Sequence, residues 1–207
     1  MIYPANNKII KRCFDAYIRF IVTRNFSKIN FTNLLTDKSK PVLLIANHSG
    51  VWDGFLMHYV NSQLLKKKFH VMLLERTAKR FRLFKYAGAF SINKNSRDVV
   101  ESLNFAAQLL NDPQNLVLIF PQGKLYSNFI TEVQFEKGIM KVMEKARGNF
   151  QVIYSAMFIE YFSNKKPQVN IYLKHVTDTA FKNIQQLQAD YQQHYDEARN
   201  QQTQIVL

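Results

Sequence analysis

The amino-acid sequence predicts an α/β fold: a single domain with a mostly parallel central sheet flanked by helices and preceded by an N-terminal basic amphipathic helix. Three observations support this prediction. Short runs of apolar residues, each the length of one buried strand, alternate with segments whose apolar residues recur at helical spacing. The runs end at polar or glycine-containing turns, as strands of a parallel sheet do before a helical crossover. The chain of 207 residues has the length of one domain.

The elements follow one another along the chain in a regular order. Helical spacing of apolar residues marks segments 8–26, 55–65, 97–110 and 136–147. Pro113 ends the third of these helices, because its ring cannot continue one. The predicted buried strands are 42–46, 69–74, 116–120, 150–161 and 168–174. The glutamine-rich segment from residue 178 onward predicts a surface helix.

The first predicted helix is basic and amphipathic. Its apolar residues fall on one stripe, and a single acid, Asp15, lies among six basic residues: Lys8, Lys11, Arg12, Arg19, Arg24 and Lys28. Such a helix either packs against the domain or lies in a membrane interface. We therefore divide the chain into an N-terminal amphipathic helical region, residues 1–35, and a main domain, residues 36–207.

Composition limits the partners and the location of the protein. Twenty-eight basic residues against 15 acidic ones give a net charge of +13, so natural partners carry negative charge: nucleic acid, anionic membrane, phosphorylated lipid or an acidic carrier protein. The single Cys13 excludes an internal disulfide and a cysteine-based zinc cluster. The longest charge-free runs have 12 residues, whereas a membrane-spanning helix needs about 20. Without a secretory signal pattern at the N-terminus, we expect a cytoplasmic protein whose attachment to a membrane surface stays open.

A histidine and an aspartate five positions apart, His48 and Asp53, follow the first buried strand. On a continuous helix their side chains would point about 140° apart. A turn at Ser49–Gly50 would let the carboxylate reach the imidazole, fix its tautomer and stabilise its charged form, as a general base requires. On these residues alone, a hydrogen-bonded histidine beside a surface aspartate explains the pair equally well.

Two further segments combine glycine with positive charge. Phe120 to Lys124 follows a buried strand, where Gly123 allows close backbone approach and Lys124 supplies a cation; a simple tight turn is the alternative. Gly88 to Lys94 ends a stretch, residues 66–97, that holds ten basic residues and one acid, Glu75. Aromatic residues within that stretch favour a surface that faces an anion, although a solvated charged face fits as well.

In this order and spacing, the three segments resemble the glycerolipid acyltransferase family, best known for 1-acylglycerol-3-phosphate acyltransferases. Asn47, His48 and Asp53 match its Asn-His-x4-Asp motif. Gly88 to Ile92 matches a glycine-hydrophobic block, with Lys94 where arginine is usual. Phe120, Pro121 and Gly123 match the motif Phe-Pro-Glu-Gly-Thr-Arg. The resemblance covers residues 40–160.

The resemblance implies an O-acyltransferase that moves a fatty acyl group from acyl-coenzyme A or acyl carrier protein to the hydroxyl of a lyso-lipid or other lipid-like acceptor. His48 and Asp53 would be catalytic, and a backbone N–H near Gly123 would stabilise the oxyanion. The substrate-binding residues would be Lys94, Gln122, Gly123 and Lys124. We expect no metal or other cofactor, no nucleic acid, and an anionic membrane surface as partner, with the protein peripheral on its inner, cytoplasmic face.

The sequence departs from the family at its third motif. Gln122, Lys124 and Leu125 stand where the family has glutamate, threonine and arginine. Lysine does not reproduce the bidentate fork that arginine offers to phosphate, so we expect an acceptor other than lysophosphatidate. An acyltransferase for a lipid-like secondary metabolite, a lipid-binding protein of the same fold with little turnover, and a nucleic-acid-binding protein suggested by charge alone remain the alternatives.

Overall fold

The apolar runs of the sequence form the strands of one sheet in the computed structural model, which describes residues 1–93, 98–146 and 149–206. The described strands are β1 (Lys28–Phe31), β2 (Val42–Ala46), β3 (Lys68–Leu74), β4 (Ala89–Ile92), β5 (Asn115–Ile119), β6 (Gln151–Glu160) and β7 (Gln168–Val176). Their order across the sheet is β1-β7-β6-β2-β5-β3-β4. Among these pairs only β6 and β7 are antiparallel, so the predicted mostly parallel sheet is confirmed.

Helices flank the sheet, as the sequence predicted. Within the described residues they are α1 (Lys8–Asn25), α2 (Asp53–Val60), α3 (Glu75–Arg80), α4 (Val99–Leu109), α5 (Gly138–Lys145) and α6 (Ile184–Thr203). A π-helical turn, Asn61–Leu65, continues α2, and a 3-10 helix, Arg82–Ala87, follows α3. The sequence analysis missed α3 and the four-residue strands β1 and β4, because such short elements show too little periodicity to be recognised.

The sheet has one buried layer on each face. Side chains of successive strand residues point to opposite faces, so Leu43 and Ile45 pack with α4, α5 and α6, whereas Val42 and Leu44 pack with α1 and α2. All five residues of the central strand β2 are buried, as expected for a parallel sheet covered on both sides. The chain that leaves β2 therefore starts from a rigid position.

The N-terminal helix α1 lies against the domain. Asn7 caps its first turn by accepting hydrogen bonds from the N–H groups of Ile9 and Ile10. Ile18 and Val22, which belong to the stripe that the sequence predicted, are buried in the same core layer as β2. Ile9 and Tyr17 were expected on that stripe as well, but both are exposed, as is Phe20. The boundary at residue 35 stays a prediction.

Two terminal segments are more tightly integrated than the sequence suggested. The helix predicted after residue 178 is α6, but its assignment to the surface is wrong for one face, where Leu187, Tyr191 and Tyr195 are buried. At the other end of the chain, Ser91 of the edge strand β4 donates its N–H to the carbonyl of Ile2 at 3.0 Å. None of the helices in the described ranges is long and apolar enough to cross a membrane.

Candidate active site

The site begins where β2 and β5 end side by side. These strands run parallel, with Ile45 opposite Ile119, so the loops that follow them leave the same edge of the sheet. Ligands of α/β proteins bind at this carboxyl edge. The loop after β2 carries His48 and leads into α2, and the loop after β5 carries Gln122.

His48 and Asp53 are joined by a hydrogen bond. The Nδ1 of His48 lies 2.8 Å from Oδ2 of Asp53, because the chain turns at Ser49 and Gly50 before α2 begins. The backbone N–H groups of those two residues donate to the same carboxylate oxygen at 2.6 and 2.9 Å. Asp53 is fully buried and His48 is 24% exposed. The carboxylate is thus fixed inside the protein and the imidazole faces outward.

This arrangement suits a neutral histidine that accepts a proton. With Asp53 accepting from Nδ1–H, the lone pair of the imidazole is on Nε2, which is then the basic atom. The negative charge of Asp53 stabilises the imidazolium that forms after proton uptake. Asp53 is also the first residue of α2, where the partial positive charge of a helix N-terminus favours a carboxylate.

The loop after β5 holds His48 from three directions. The N–H of His48 donates to Oε1 of Gln122 at 2.7 Å. The carbonyl of His48 accepts from the N–H of Tyr126 at 3.0 Å. The imidazole stacks on the ring of Phe120, with centroids 4.1 Å apart and planes 16° apart. The backbone and the ring of the histidine are therefore both fixed by the segment 120–126.

The predicted substrate-binding residues of this loop occupy different environments. Gln122 is buried, and its Nε2 has no hydrogen-bond partner among the described residues. Gly123 adopts a left-handed conformation with φ of 65°, which glycine reaches without strain. Lys124 is exposed and its Nζ lies 5.2 Å from the ring centroid of Tyr126. Lys94 lies outside the residues that the structure describes.

The backbone N–H of Gly123 is engaged within the turn. It donates to the carbonyl of Phe120 at 3.1 Å. This N–H is therefore not free to bind an oxyanion, and the expectation of such a donor near Gly123 stays a prediction. The turn instead presents Gln122 toward the backbone of His48.

The sequence analysis named Asn47 only as part of a motif and did not predict how the loop after β2 is supported. Asn47 accepts from the N–H of Met157 at 2.8 Å and donates to the carbonyl of the same residue at 3.0 Å, extending the pairing of β2 with β6 by a side chain. The hydroxyl of Tyr191 donates to the carbonyl of Ser155 at 2.8 Å, and burial raises the pKa of this phenol. The only available signal was the position of Asn47 directly before the histidine.

Across the part of the chain that the structure describes, no group of three or more His, Cys, Asp or Glu side chains is placed to hold a metal ion. A histidine whose ring is held by a carboxylate can act as a general base toward a hydroxyl, with no nucleophilic side chain needed.

Comparison with known proteins gives the family. The Acyltransferase family model matches residues 25–159. A search among curated proteins returned no match. Among solved structures, the chain is similar to PlsC from Thermotoga maritima, a 1-acyl-sn-glycerophosphate acyltransferase, with 13% identity, a TM-score of 0.65, and coverage of 95% of this chain and 81% of that chain. At this identity the likeness shows the fold. Because the family model matches well over half of the residues, this chain belongs to the acyltransferase family, as the resemblance of its motifs predicted.

Proposed function

We propose that the protein is an O-acyltransferase that moves a fatty acyl group from a thioester of coenzyme A or acyl carrier protein to the hydroxyl of a lyso-lipid or other lipid-like acceptor. The observation that carries the proposal is the His48–Asp53 hydrogen bond of 2.8 Å at the carboxyl edge of the sheet, in a chain of the acyltransferase family. The enzyme needs no cofactor in this scheme, since the thioester is a substrate.

The reaction follows from the orientation of the pair. Nε2 of His48 takes the proton of the acceptor hydroxyl while the hydroxyl oxygen attacks the carbonyl carbon of the thioester. The tetrahedral intermediate collapses with cleavage of the carbon–sulfur bond, and the thiolate receives the proton from the imidazolium. The products are the acylated acceptor and the free thiol of the donor. General-base catalysis of this kind contributes about 10²–10⁴-fold to the rate.

The loop after β5 argues for an acceptor that differs from lysophosphatidate. Leu125, at the position of the family's arginine, is exposed, and Lys124 is the neighbouring cation. A lysine holds an anion as a point charge without the bidentate geometry of arginine. We therefore propose a hydroxylated lipid whose recognition does not depend on an arginine–phosphate pair, with Lys124 and Lys94 as weaker contacts for an anion.

The proposed partners are an acidic carrier protein or coenzyme A as donor, a lipid acceptor and an anionic membrane surface at its cytoplasmic face. The net charge of +13 supports this choice, because long-range attraction draws a basic protein to acidic carriers and anionic lipid. We expect no function in binding nucleic acid, since only the charge favours it.

Release of free thiol tests the function directly. Wild type and His48→Ala are incubated with long-chain acyl-coenzyme A or acyl carrier protein, with and without a panel of lyso-lipids. We expect acceptor-stimulated release from wild type and a loss of at least about 10²-fold in the variant. His175→Ala is the matched control, because His175 lies on β7, opposite Ile153, and outside the loops after β2 and β5 that form the site. Folded proteins that release no His48-dependent thiol with any pair would contradict the proposal and favour a lipid-binding protein without turnover.

A further inference from the structure

A short exposed segment alternates basic and apolar side chains at the junction of α3 and the 3-10 helix. Residues 80–83, hereafter the 80–83 tip, are Arg80, Phe81, Arg82 and Leu83, and all four are exposed. Phe81 is 45% exposed and Leu83 61% exposed. Apolar side chains exposed next to one another between arginines make this segment a candidate interaction surface.

The charge around the 80–83 tip is strongly positive. Residues 75–85 contain five basic residues and one acid, and that acid, Glu75, lies 2.9 Å from Nζ of Lys79. The guanidinium of Arg80 lies 5.3 Å from the ring centroid of Phe81. Cations beside aromatic rings match the headgroup layer of a bilayer, where amphipathic rings and basic side chains accumulate.

A continuous series of aromatic contacts connects the 80–83 tip to the active-site loop. Phe81 stacks on Phe84 with centroids 5.2 Å apart, Phe84 meets Phe55 at 5.8 Å, and Phe55 meets Trp52 at 6.0 Å. Trp52 directly precedes Asp53. A surface that contacts the tip is therefore held in a fixed position relative to the loop that carries His48.

The same aromatic group reaches α1. Phe84 contacts Phe14 of α1 with centroids 5.9 Å apart, and Phe14 contacts the exposed Tyr17 at 6.3 Å. Exposed apolar and basic side chains of two separate elements thus belong to one packed surface. A partner for this surface must accept apolar groups that protrude from both elements.

We propose that the 80–83 tip is a docking site for an anionic lipid bilayer, with Arg80 and Arg82 at the headgroups and Phe81 and Leu83 inserted below them. A bilayer accommodates protruding side chains in any arrangement, whereas a protein partner needs matching pockets, so these observations favour the bilayer over an acidic carrier protein. Docking would bring the loop that contains His48 to a lipid acceptor in the membrane. Only this consequence of docking rests on the proposed function.

Vesicle binding tests the docking site with matched variants. Leu83→Ser is compared with Leu35→Ser, which makes the same change at a residue that is 95% exposed between β1 and β2. Arg80→Gln/Arg82→Gln is compared with Lys141→Gln/Lys182→Gln, which removes the same charge from the side of the sheet that α5 and α6 cover. Binding of each full-length protein to vesicles of phosphatidylcholine with phosphatidylglycerol, and to pure phosphatidylcholine, is measured by co-sedimentation.

The expected losses differ between the variants. Removing two arginines that contact an anionic surface should weaken binding by about 30-fold, an effect that disappears at high salt. Leu83→Ser should weaken it by about fivefold, and both controls should bind like wild type. The proposal would be overturned if the wild-type protein did not bind anionic vesicles, or if Leu83→Ser bound them as well as Leu35→Ser. So would tip variants that bind vesicles normally but lose transfer from acyl carrier protein alone, because the partner would then be that protein.

The outcome is separable from that of the proposed function. Thiol release with a water-dispersed acceptor in the absence of vesicles should be the same for the tip variants and wild type. Vesicle binding without any His48-dependent thiol release would support the docking site while contradicting the acyltransferase activity.

Discussion

The helix α2 has a histidine–aspartate pair at each end, and the two pairs are built in opposite ways. At its N-terminus, the buried Asp53 holds the partly exposed His48 through Nδ1 at 2.8 Å. Toward its C-terminus, the buried His58 is held through Nε2 at 3.0 Å by Asp15 of α1, whose side chain is 37% exposed. In the first pair, Nε2 of His48 is not used in the contact with Asp53. In the second pair, the imidazole of His58 lies in the interface between α1 and α2.

The two pairs differ in which partner is buried, and this difference fits the different roles that we propose for them. A general base needs a fixed carboxylate and an imidazole that a substrate can reach. In the second pair, His58 also packs against the ring of Phe69, with centroids 5.0 Å apart, so this histidine is part of the core. Residue types and distances alone would not distinguish these two pairs.

Asp53→Asn should have the largest effect of the changes that break this contrast. The amide cannot stabilise an imidazolium and favours the wrong histidine tautomer, so we expect a loss of about 10²–10⁴-fold in kcat. The measurement is single-turnover thiol release at saturating donor. A variant that remains folded and keeps more than a tenth of the wild-type rate would show that the carboxylate does not assist the histidine.

Changes at Gln122 should have a smaller effect on the same histidine. Gln122→Ala removes the acceptor for the His48 N–H and should lower kcat by about tenfold, since one buried hydrogen bond of about 1–1.5 kcal/mol is lost. Gln122→Glu keeps that acceptor, and we expect it to retain transfer and to gain activity on phosphorylated acceptors. Thiol release with acceptors that do and do not carry phosphate provides the measurement. An unchanged acceptor preference would show that position 122 does not select the acceptor.

His58→Ala should lower the stability of the protein without changing its rate of acyl transfer, which would separate the roles of the two pairs. Loss of the buried imidazole should lower the free energy of unfolding by about 1–3 kcal/mol, measured by urea denaturation. Thiol release per folded molecule should stay near the wild-type rate. A drop comparable with that of His48→Ala would mean that the second pair is part of the active site.

Asp15 should make a small contribution to the pH dependence of the free energy of unfolding. Burial acts to raise the pKa of Asp15, but hydrogen bonds from His58 and Lys11 outweigh it and lower the pKa below its usual value of 3.8. Since a lowered folded-state pKa favours the folded protein, this contribution is present above pH 3.8 and is lost as the pH falls through the folded-state pKa. Asp15→Asn should reduce the decrease of the free energy of unfolding at acidic pH, measured by urea denaturation at several pH values. If the decrease were unchanged, other carboxylates would be its cause.

The sequence was sufficient to predict the contact between His48 and Asp53 and insufficient to predict the contact between His58 and Asp15. His48 and Asp53 are close in the chain, so a turn with glycine was enough to predict their meeting. Asp15 and His58 lie on different helices, and only the packing of α1 on α2 brings them together. In the same way, the five-residue strands of the core were predicted from their apolar runs, whereas β1 and β4 depend on neighbours that are distant in sequence. The hydrogen bond that engages the N–H of Gly123 depends on backbone angles that residue types do not specify.

The pairing of β1 with β7 bears on how the chain is made. The Asn30 side chain of β1 bonds to Asn170 of β7, 140 residues later, and β1 is an edge strand with β7 as its neighbour in the sheet. At typical rates of synthesis, a ribosome takes on the order of ten seconds to add that many residues. During that interval β1 has no neighbouring strand to pair with, although it is one of the first elements to be made. Its place in the sheet therefore depends on a strand that is synthesised much later.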